Sequence, residues 1–220
     1  MKRMTWGDIK LRALQTMFSN EGATINVDDS NQDYVNAMPG KANEAMHQLA
    51  MVGRPILKQF TLRFAYGEEE EQTETSLTLP TVEGKYKITL SDYLPRFRAL
   101  DRMMLESGGV YDEAEVWDLE GDDVLVLPGM LAGVYTIWYK AYPQTIESDT
   151  PDTTEIDLPH EAAALIPLYI AGELYKEDEL AMATVFRNEF EDGLEKLRQA
   201  YQESGSGFRN GSVRNTTGWW

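Results

Sequence analysis

The stretch AMHQLAMVGRPILKQFTLRFAY, residues 45–66, decides the fold class because its hydrophobic period changes partway along. Ala45, Leu49 and Val52 recur at intervals of three and four residues, which is typical of one face of an α-helix. From Phe60 to Tyr66 every second residue is aromatic or Leu, which is the pattern of a half-buried β-strand. The chain therefore passes from helix to sheet within this stretch.

An earlier helix is predicted near the N-terminus. Ile9, Ala13 and Met17 form an apolar stripe at helical spacing. Thr5 and Asp8 have the spacing of a capping box in which Asp replaces the usual Glu, and an acid there also suits the positive end of the helix dipole.

A loop and a second helix follow. Residues 19–31 contain Asn, Asp, Ser and Gly, which are typical of loops. The helical spacing then runs from Tyr34 to Val52 with Pro39 inside it. Because proline lacks a backbone N–H, we expect a kink or a restart of the helix at Pro39.

Several short β-strands are predicted after residue 57, each bounded by Gly, Pro, Asp or Ser. No helical period separates them, so nothing indicates the crossover helices of a parallel sheet. Six or seven short strands in this interval are typical of an antiparallel β-sandwich or jelly roll. The predicted strands are 60–66, 73–79, 85–90, 97–105, 114–119, 124–127 and 134–142.

Helical spacing returns after a polar linker at 147–157. One helix is expected to open at Leu158-Pro159, with Asp157 placed to cap it. A second carries an apolar stripe from Ala183 to Tyr201. The short join between them favours an antiparallel pair.

These elements predict an α+β fold. Two N-terminal helices (1–56) and a C-terminal helical hairpin (147–203) would form a four-helix core. An antiparallel β-sandwich or jelly-roll-like domain (57–146) is inserted between them, and an extended tail (204–220) follows.

The tail differs from the rest of the chain in composition. It holds four Gly, two Arg and no acid, whereas the other 203 residues carry 18 cations and 37 anions, a net charge of −19. Because such a segment cannot form a core of its own, its aromatic residues indicate an anchor for another protein. A tail folded back on its own domain is the alternative. The predicted partner-binding residues are Phe208, Arg209, Arg214, Trp219 and Trp220.

The whole-chain composition excludes several function classes. The net charge of −17 disfavours a protein that grips nucleic-acid phosphates. The absence of Cys excludes disulfides, thiol nucleophiles and thiolate metal sites. No apolar run is long enough to cross a membrane, and nothing marks export.

The remaining candidate sites are better explained by structure than by chemistry. The acids Asp149, Asp152, Glu155 and Asp157, and the pair Glu189 and Asp192, are interpreted as solvated loop and helix faces. The linker acids also lack the Gly and closing Glu of a calcium loop. Neither His47 nor His160 has the partner of a zinc helix. We therefore predict no catalytic, cofactor-binding or metal-binding residue.

The order of the parts resembles the head-to-tail connector, or portal adaptor, proteins of tailed bacteriophages. This family shares a helical core, whereas the insertion varies. The residues that carry the likeness are Trp6-Gly-Asp-Ile9, Tyr139-Lys-Ala-Tyr-Pro143, Ile156-Asp-Leu-Pro-His-Glu161, Leu165-Ile-Pro-Leu-Tyr169 with Ala171, and Glu177-Asp-Glu179 before Ala183 and Phe190.

The resemblance implies a structural virion protein without enzymatic activity. Its members form a ring, usually of twelve subunits, below the portal, where the ring links the capsid to the tail and lines the DNA exit channel. Their C-terminal tails commonly dock onto the portal, which implies that role for the five tail residues above. The implied partners are the portal and tail or neck proteins, and the implied location is the virion neck, with assembly in the host cytoplasm. An acidic wall fits a channel that DNA must leave during genome ejection.

Two other functions stay open at this point. The β domain could present Trp117, Tyr135 and Trp138 as a sugar platform in a carbohydrate-binding or hydrolytic accessory protein. The helical frame could also belong to another neck or tail-completion protein.

Overall fold

The computed structural model describes residues 3–18, 27–28, 31–65, 70–73, 75–80, 85–107, 110–113, 117–128 and 133–207. The chain divides into two compact units, a helical unit of residues 1–54 and 145–220 and a β unit of residues 55–144. The elements in chain order are α1 (Trp6–Phe18), α2 (Gln32–Val52), β1 (Ile56–Ala65), β2 (Glu71–Gln72), β3 (Ser76–Pro80), β4 (Lys85–Thr89), α3 (Leu90–Tyr93), β5 (Phe97–Ser107), β6 (Val110–Glu113), β7 (Asp118–Glu120), β8 (Val124–Pro128), β9 (Gly133–Ala141), α4 (His160–Ala163), α5 (Ile166–Leu174) and α6 (Leu180–Gly207). The predicted α+β fold class is confirmed.

Helix α5 is the centre of the helical unit. It contacts α1, α2 and α6, which explains why its sequence IPLYIAGEL is apolar around most of its circumference. Gly172 lies at a close approach of α5 to α6, since a Cβ there would sit 3.3 Å from the Arg187 backbone nitrogen and 3.4 Å from the Ala183 carbonyl oxygen. A side chain at Gly172 would therefore push the two helices apart by a few tenths of an ångström.

The start of α1 is fixed by its cap and by the linker. The Thr5 backbone N–H donates to Asp8 Oδ2 at 2.9 Å, and the Asp8 N–H donates to Thr5 Oγ1 at 3.2 Å, which confirms the predicted capping box. The Gly7 N–H donates to the Asp152 carbonyl at 2.9 Å, and a Cβ at Gly7 would lie only 3.0 Å from that of Asp152. Lys10 also pairs with the Asp152 carboxylate. Gly7 and Lys10 thus hold the linker against α1, while Asp8 caps the helix.

Two local expectations need correction, and one of the two alternatives at Pro39 is excluded. Helix α2 continues through Pro39, so the helix does not restart there. The helix expected to open at Leu158-Pro159 is instead divided into α4 and α5, because Pro167 cannot donate a hydrogen bond to the Ala163 carbonyl. Pro159 is the N-cap of α4, so Asp157 lies too early to cap it.

The β unit contains two sheets. Their strand orders are β2-β3-β1-β9-β5-β6 and β4-β8-β7. Alternate residues of β1, including Phe60, Leu62 and Phe64, are buried as predicted. Phe64 on the larger sheet makes an edge contact with Tyr86 on the smaller one, with ring centroids 5.7 Å apart. The sheets therefore share an aromatic core.

One strand pair departs from the antiparallel expectation. β1 pairs in parallel with β3, with Thr61 beside Ser76 and Ala65 beside Pro80. No helix is needed for this crossover because the short β2, antiparallel to β3, lies in the connection between them. Ten residues separate Ala65 from Ser76, enough chain for the return at about 3.3 Å per residue.

Candidate partner-binding surfaces

The five predicted partner-binding residues, Phe208, Arg209, Arg214, Trp219 and Trp220, lie outside the described residues. What the structure describes is the helix that leads to them. Helix α6 has 28 residues, about 42 Å at 1.5 Å per residue. It extends to Gly207, so the first four residues assigned to the tail are helical.

Burial decreases along the apolar stripe of α6. Ala183, Phe186 and Phe190 are buried as predicted, and the Phe190 ring packs against Tyr169 at 5.0 Å. Leu194 and Leu197 are only half-buried, and residues 198–202 are exposed. The first half of α6 is therefore anchored in the helical unit, whereas its last described turns present surface to solvent.

A polar network fixes the anchored half of α6 to α5 and α2. Arg187 donates to Glu173 at 2.6 Å, where the Glu173 side chain is 8% exposed. The Arg187 guanidinium also lies 5.1 Å from the ring centroid of Tyr169, whose hydroxyl donates to Glu44 at 3.0 Å. Lys41 donates to the same carboxylate at 2.9 Å. Three helices are thus joined through one chain of contacts.

The charges in this network shift the pKa values of its members. The hydrogen bond from Lys41 lowers the pKa of Glu44, and the Tyr169 hydroxyl acts in the same direction. Burial, followed by the hydrogen bond to Glu44, raises the pKa of Tyr169. Lys41 and Glu44 therefore remain charged near neutral pH, and Tyr169 remains a neutral donor.

An aromatic cluster lies where α1 ends and α2 begins. Phe18 and Tyr34 meet edge to face at 5.3 Å, and Tyr175 contacts both rings at 6.3 Å. The Tyr34 hydroxyl donates to Asp178, which raises the pKa of Tyr34 to about 12. The cluster thereby ties the first turn of α2 to the turn that precedes α6.

The most exposed apolar side chains of the described helical unit lie on α6 and α2. Leu180, Met182 and Val185, in the first two turns of α6, are 69%, 40% and 46% exposed. Met51, in the last turn of α2, is 60% exposed. Sequence reasoning missed these residues because it followed the buried stripes. The sequence did contain a signal for them, because each is an apolar residue that lies outside the predicted buried stripe of its own helix.

The acids considered as catalytic candidates do not converge. Asp149 and Glu155 are exposed, and Asp157 is half-buried in the linker. Asp152 pairs with Lys10, and Asp192 pairs with Lys196 at 2.8 Å. Within the described ranges, no three His, Asp or Glu side chains are grouped so that they could hold a metal ion.

The two histidines occupy different environments. His47 lies on the exposed side of α2, whereas His160 is half-buried at the start of α4. His160 Nδ1 is buried and has no hydrogen-bond partner in the part of the chain that the structure describes. Their separate positions give no paired site.

The sugar platform is contradicted by the β unit. Tyr135 is only 3% exposed and belongs to the core. Trp138, three residues further along β9, points to the opposite face of the sheet because strand side chains alternate. Its ring is covered by the Arg102 guanidinium at 4.6 Å, and Trp117 is half-buried before β7. These side chains therefore form no common flat surface.

None of the helices in the described ranges combines the length and the apolarity needed to cross a bilayer.

Comparisons with solved structures and curated proteins give the following likenesses. A chain of a structure described as "Virion of native gene transfer agent (GTA) particle" is 15% identical, over 79% of this chain and 79% of that chain, with a TM-score of 0.26. A chain of a structure described as "Neck of empty GTA particle computed with C6 symmetry" is 14% identical, over 81% of this chain and 87% of that chain, with a TM-score of 0.25. No curated protein matches the chain significantly.

The comparison with protein families identifies one that spans almost the whole chain. The family described as SU10 adaptor protein matches residues 4–214, which includes both helical segments, the inserted β unit and part of the tail. The match confirms the resemblance to head-to-tail connectors found in the sequence. This chain therefore belongs to the SU10 adaptor protein family.

Proposed function

We propose that this chain forms a ring of twelve subunits below the portal, joins the capsid to the tail and lines the channel through which DNA leaves the virion. Its membership of an adaptor family supports a structural head-to-tail role. The helices in residues 1–56 and 147–203 form the core of the ring. The inserted β domain, residues 57–146, contacts tail or neck proteins. The ring is assembled in the host cytoplasm and functions in the neck.

The observation that carries this proposal is the chemistry of the segment that follows α6. A helix anchored by Phe186 and Phe190 leads out of the helical unit and is followed by a cationic, aromatic segment on a chain of net charge −17. In the proposal, Phe208, Trp219 and Trp220 fill apolar grooves on the portal. Arg209 and Arg214 meet acidic groups around those grooves.

The energetics favour many tails over one. Burying three aromatic side chains of roughly 200 Å² each, at about 25 cal/mol/Å², gives on the order of 15 kcal/mol. Fixing the backbone of the tail costs about 1 kcal/mol of conformational entropy per residue, which offsets a similar amount of this binding free energy. A single tail therefore binds weakly, whereas tails repeated around a ring bind firmly because each attached subunit raises the effective concentration of the next.

The charge of the chain supports a passive conduit rather than a nucleic-acid binder. A wall rich in Asp and Glu repels phosphates, so it does not retard DNA during ejection. A cationic wall would hold DNA with a strong dependence on salt. We therefore propose that DNA passes through the ring without specific binding.

Binding of the purified portal protein tests the tail. Truncation after Gly207 keeps all of α6 and should abolish attachment to the portal in mass photometry while far-ultraviolet circular dichroism stays unchanged. The full-length variant Phe208→Ser, Trp219→Ser, Trp220→Ser should give the same loss. Val213→Ser is the matched control, since it removes an apolar tail residue outside the proposed anchor. Undiminished attachment of the truncated chain would refute the anchor.

A further inference from the structure

The two most exposed large apolar side chains in the described part of the molecule are Leu180 and Met51, at 69% and 60%. Both belong to the helical unit. Apolar side chains with this exposure are costly to keep in water when they cluster, and clusters of this kind mark contact sites.

The first of the two surfaces, the α6 face, consists of Leu180, Met182 and Val185. Ala181 is also exposed, so the solvent side of the first two turns carries four apolar side chains, with Thr184 among them. The run Glu177–Glu179 lies directly before this strip and is exposed. The α6 face is therefore apolar with an acidic edge.

The second surface, the α2 face, is centred on Met51. His47, one turn earlier, and Arg54, just after the helix, are both exposed. The Arg54 guanidinium has no ion pair among the described residues. The α2 face therefore sets one exposed apolar side chain beside the cation Arg54, which complements the acidic edge of the α6 face.

The two faces cannot meet within one copy of the chain. The hydrogen bond between Tyr34 and Asp178 places the start of α6 beside the first turn of α2. Met51 follows Tyr34 by 17 residues along the same continuous helix, which is about 26 Å. One subunit thus carries the two faces at opposite ends of α2.

We propose that the α6 face of one subunit binds the α2 face of the next, a head-to-tail contact that repeats around the ring. This inference rests on the proposed function, and the occupant of each face is a second copy of this chain. Two α6 faces packed against each other would bring their acidic runs together, which is unfavourable. Packing an α6 face on an α2 face instead buries Met51 together with the exposed apolar side chains of α6 and sets the acidic edge against Arg54. A contact between two different faces closes into a ring when its rotation allows.

Cross-linking between engineered cysteines tests this contact. The chain has no Cys, so with a cysteine-free portal protein a short bis-maleimide reacts only where a cysteine is introduced. The Met51→Cys, Leu180→Cys double variant, assembled on purified portal protein, should give a ladder of covalent oligomers on a denaturing gel. A mixture of the two single variants should stop at heterodimers, because each copy then has one reactive face.

Matched controls separate this inference from the proposed ring. In the Met51→Cys, Gln199→Cys control, the second cysteine moves to an exposed site on the distal half of α6, and no ladder should form. Rings seen by electron microscopy without the ladder would overturn this interface and leave the proposed ring standing. A chain that stays monomeric on the portal would overturn both.

Discussion

Replacing Gly172 by Ala should destabilise the helical unit, although the same change usually stabilises a helix. An added Cβ would lie 3.3 Å from the Arg187 nitrogen and 3.4 Å from the Ala183 oxygen. These are backbone atoms of α6 and cannot rotate away, so α5 and α6 must separate by a few tenths of an ångström. Crowding of this kind costs about 1–3 kcal/mol, against a gain of about 1 kcal/mol in helix propensity. We expect a net loss of about 1 kcal/mol.

Gly40→Ala is the matched control for this prediction. Gly40 is exposed within α2, and a Cβ there would meet nothing within 4 Å, so the substitution should stabilise the protein by about 0.5–1 kcal/mol. Urea unfolding followed by the helical circular dichroism signal measures both free energies. If the Gly172→Ala chain unfolds at the same urea concentration as the Gly40→Ala chain, the close approach of α5 and α6 is not the reason for Gly172.

Two further predictions concern the ends of helices. Thr5→Ala removes the side chain that caps α1 and should cost about 1 kcal/mol in the free energy of unfolding, measured by urea titration. The pKa of Tyr34 is raised from 10.0 to about 12 in the folded protein. The resulting stabilisation is complete below pH 10 and is lost as the pH rises toward 12, because the unfolded chain releases the proton first. Tyr34→Phe should therefore reduce the slope of stability against pH in this window, whereas an unchanged slope would show that the Asp178 contact does not form.

Pro39 and Pro167 show why local sequence patterns predict where helices occur but not always where a helix is interrupted. Pro39 and Pro167 each remove one backbone hydrogen bond. Pro39 lies within 21 residues of α2, where Met38, Ala42 and Ala45 are buried, so packing on both sides of Pro39 holds the helix together. Only a four-residue helix and a turn precede Pro167, and the helix divides there. The decisive difference is tertiary packing, which spacing alone does not encode.

The same limit applies to the surfaces. The stripe of α6 correctly predicted the burial of Phe186 and Phe190, but Tyr201 at its far end is exposed. The exposed apolar residues on the opposite side of α6 were not predicted. The exposure of Leu180 depends on tertiary packing, which helical spacing does not report. Parallel pairing of β1 with β3 escaped prediction for a related reason, since β2 is too short to show a period.

Helix α6 joins the two proposed contacts into one rigid element. Its first turns carry the α6 face, its middle is fixed by Arg187 and Phe190, and its last turn leads to the aromatic tail. In the proposed assembly, the contact between subunits therefore sets the spacing at which the tails are presented. Because one tail alone has little net binding energy, its attachment depends on neighbours that are already held in register. Thermodynamic coupling between the two contacts is reciprocal. Binding of several tails to the portal therefore favours the contact between subunits by the same free energy by which that contact favours binding of the tails.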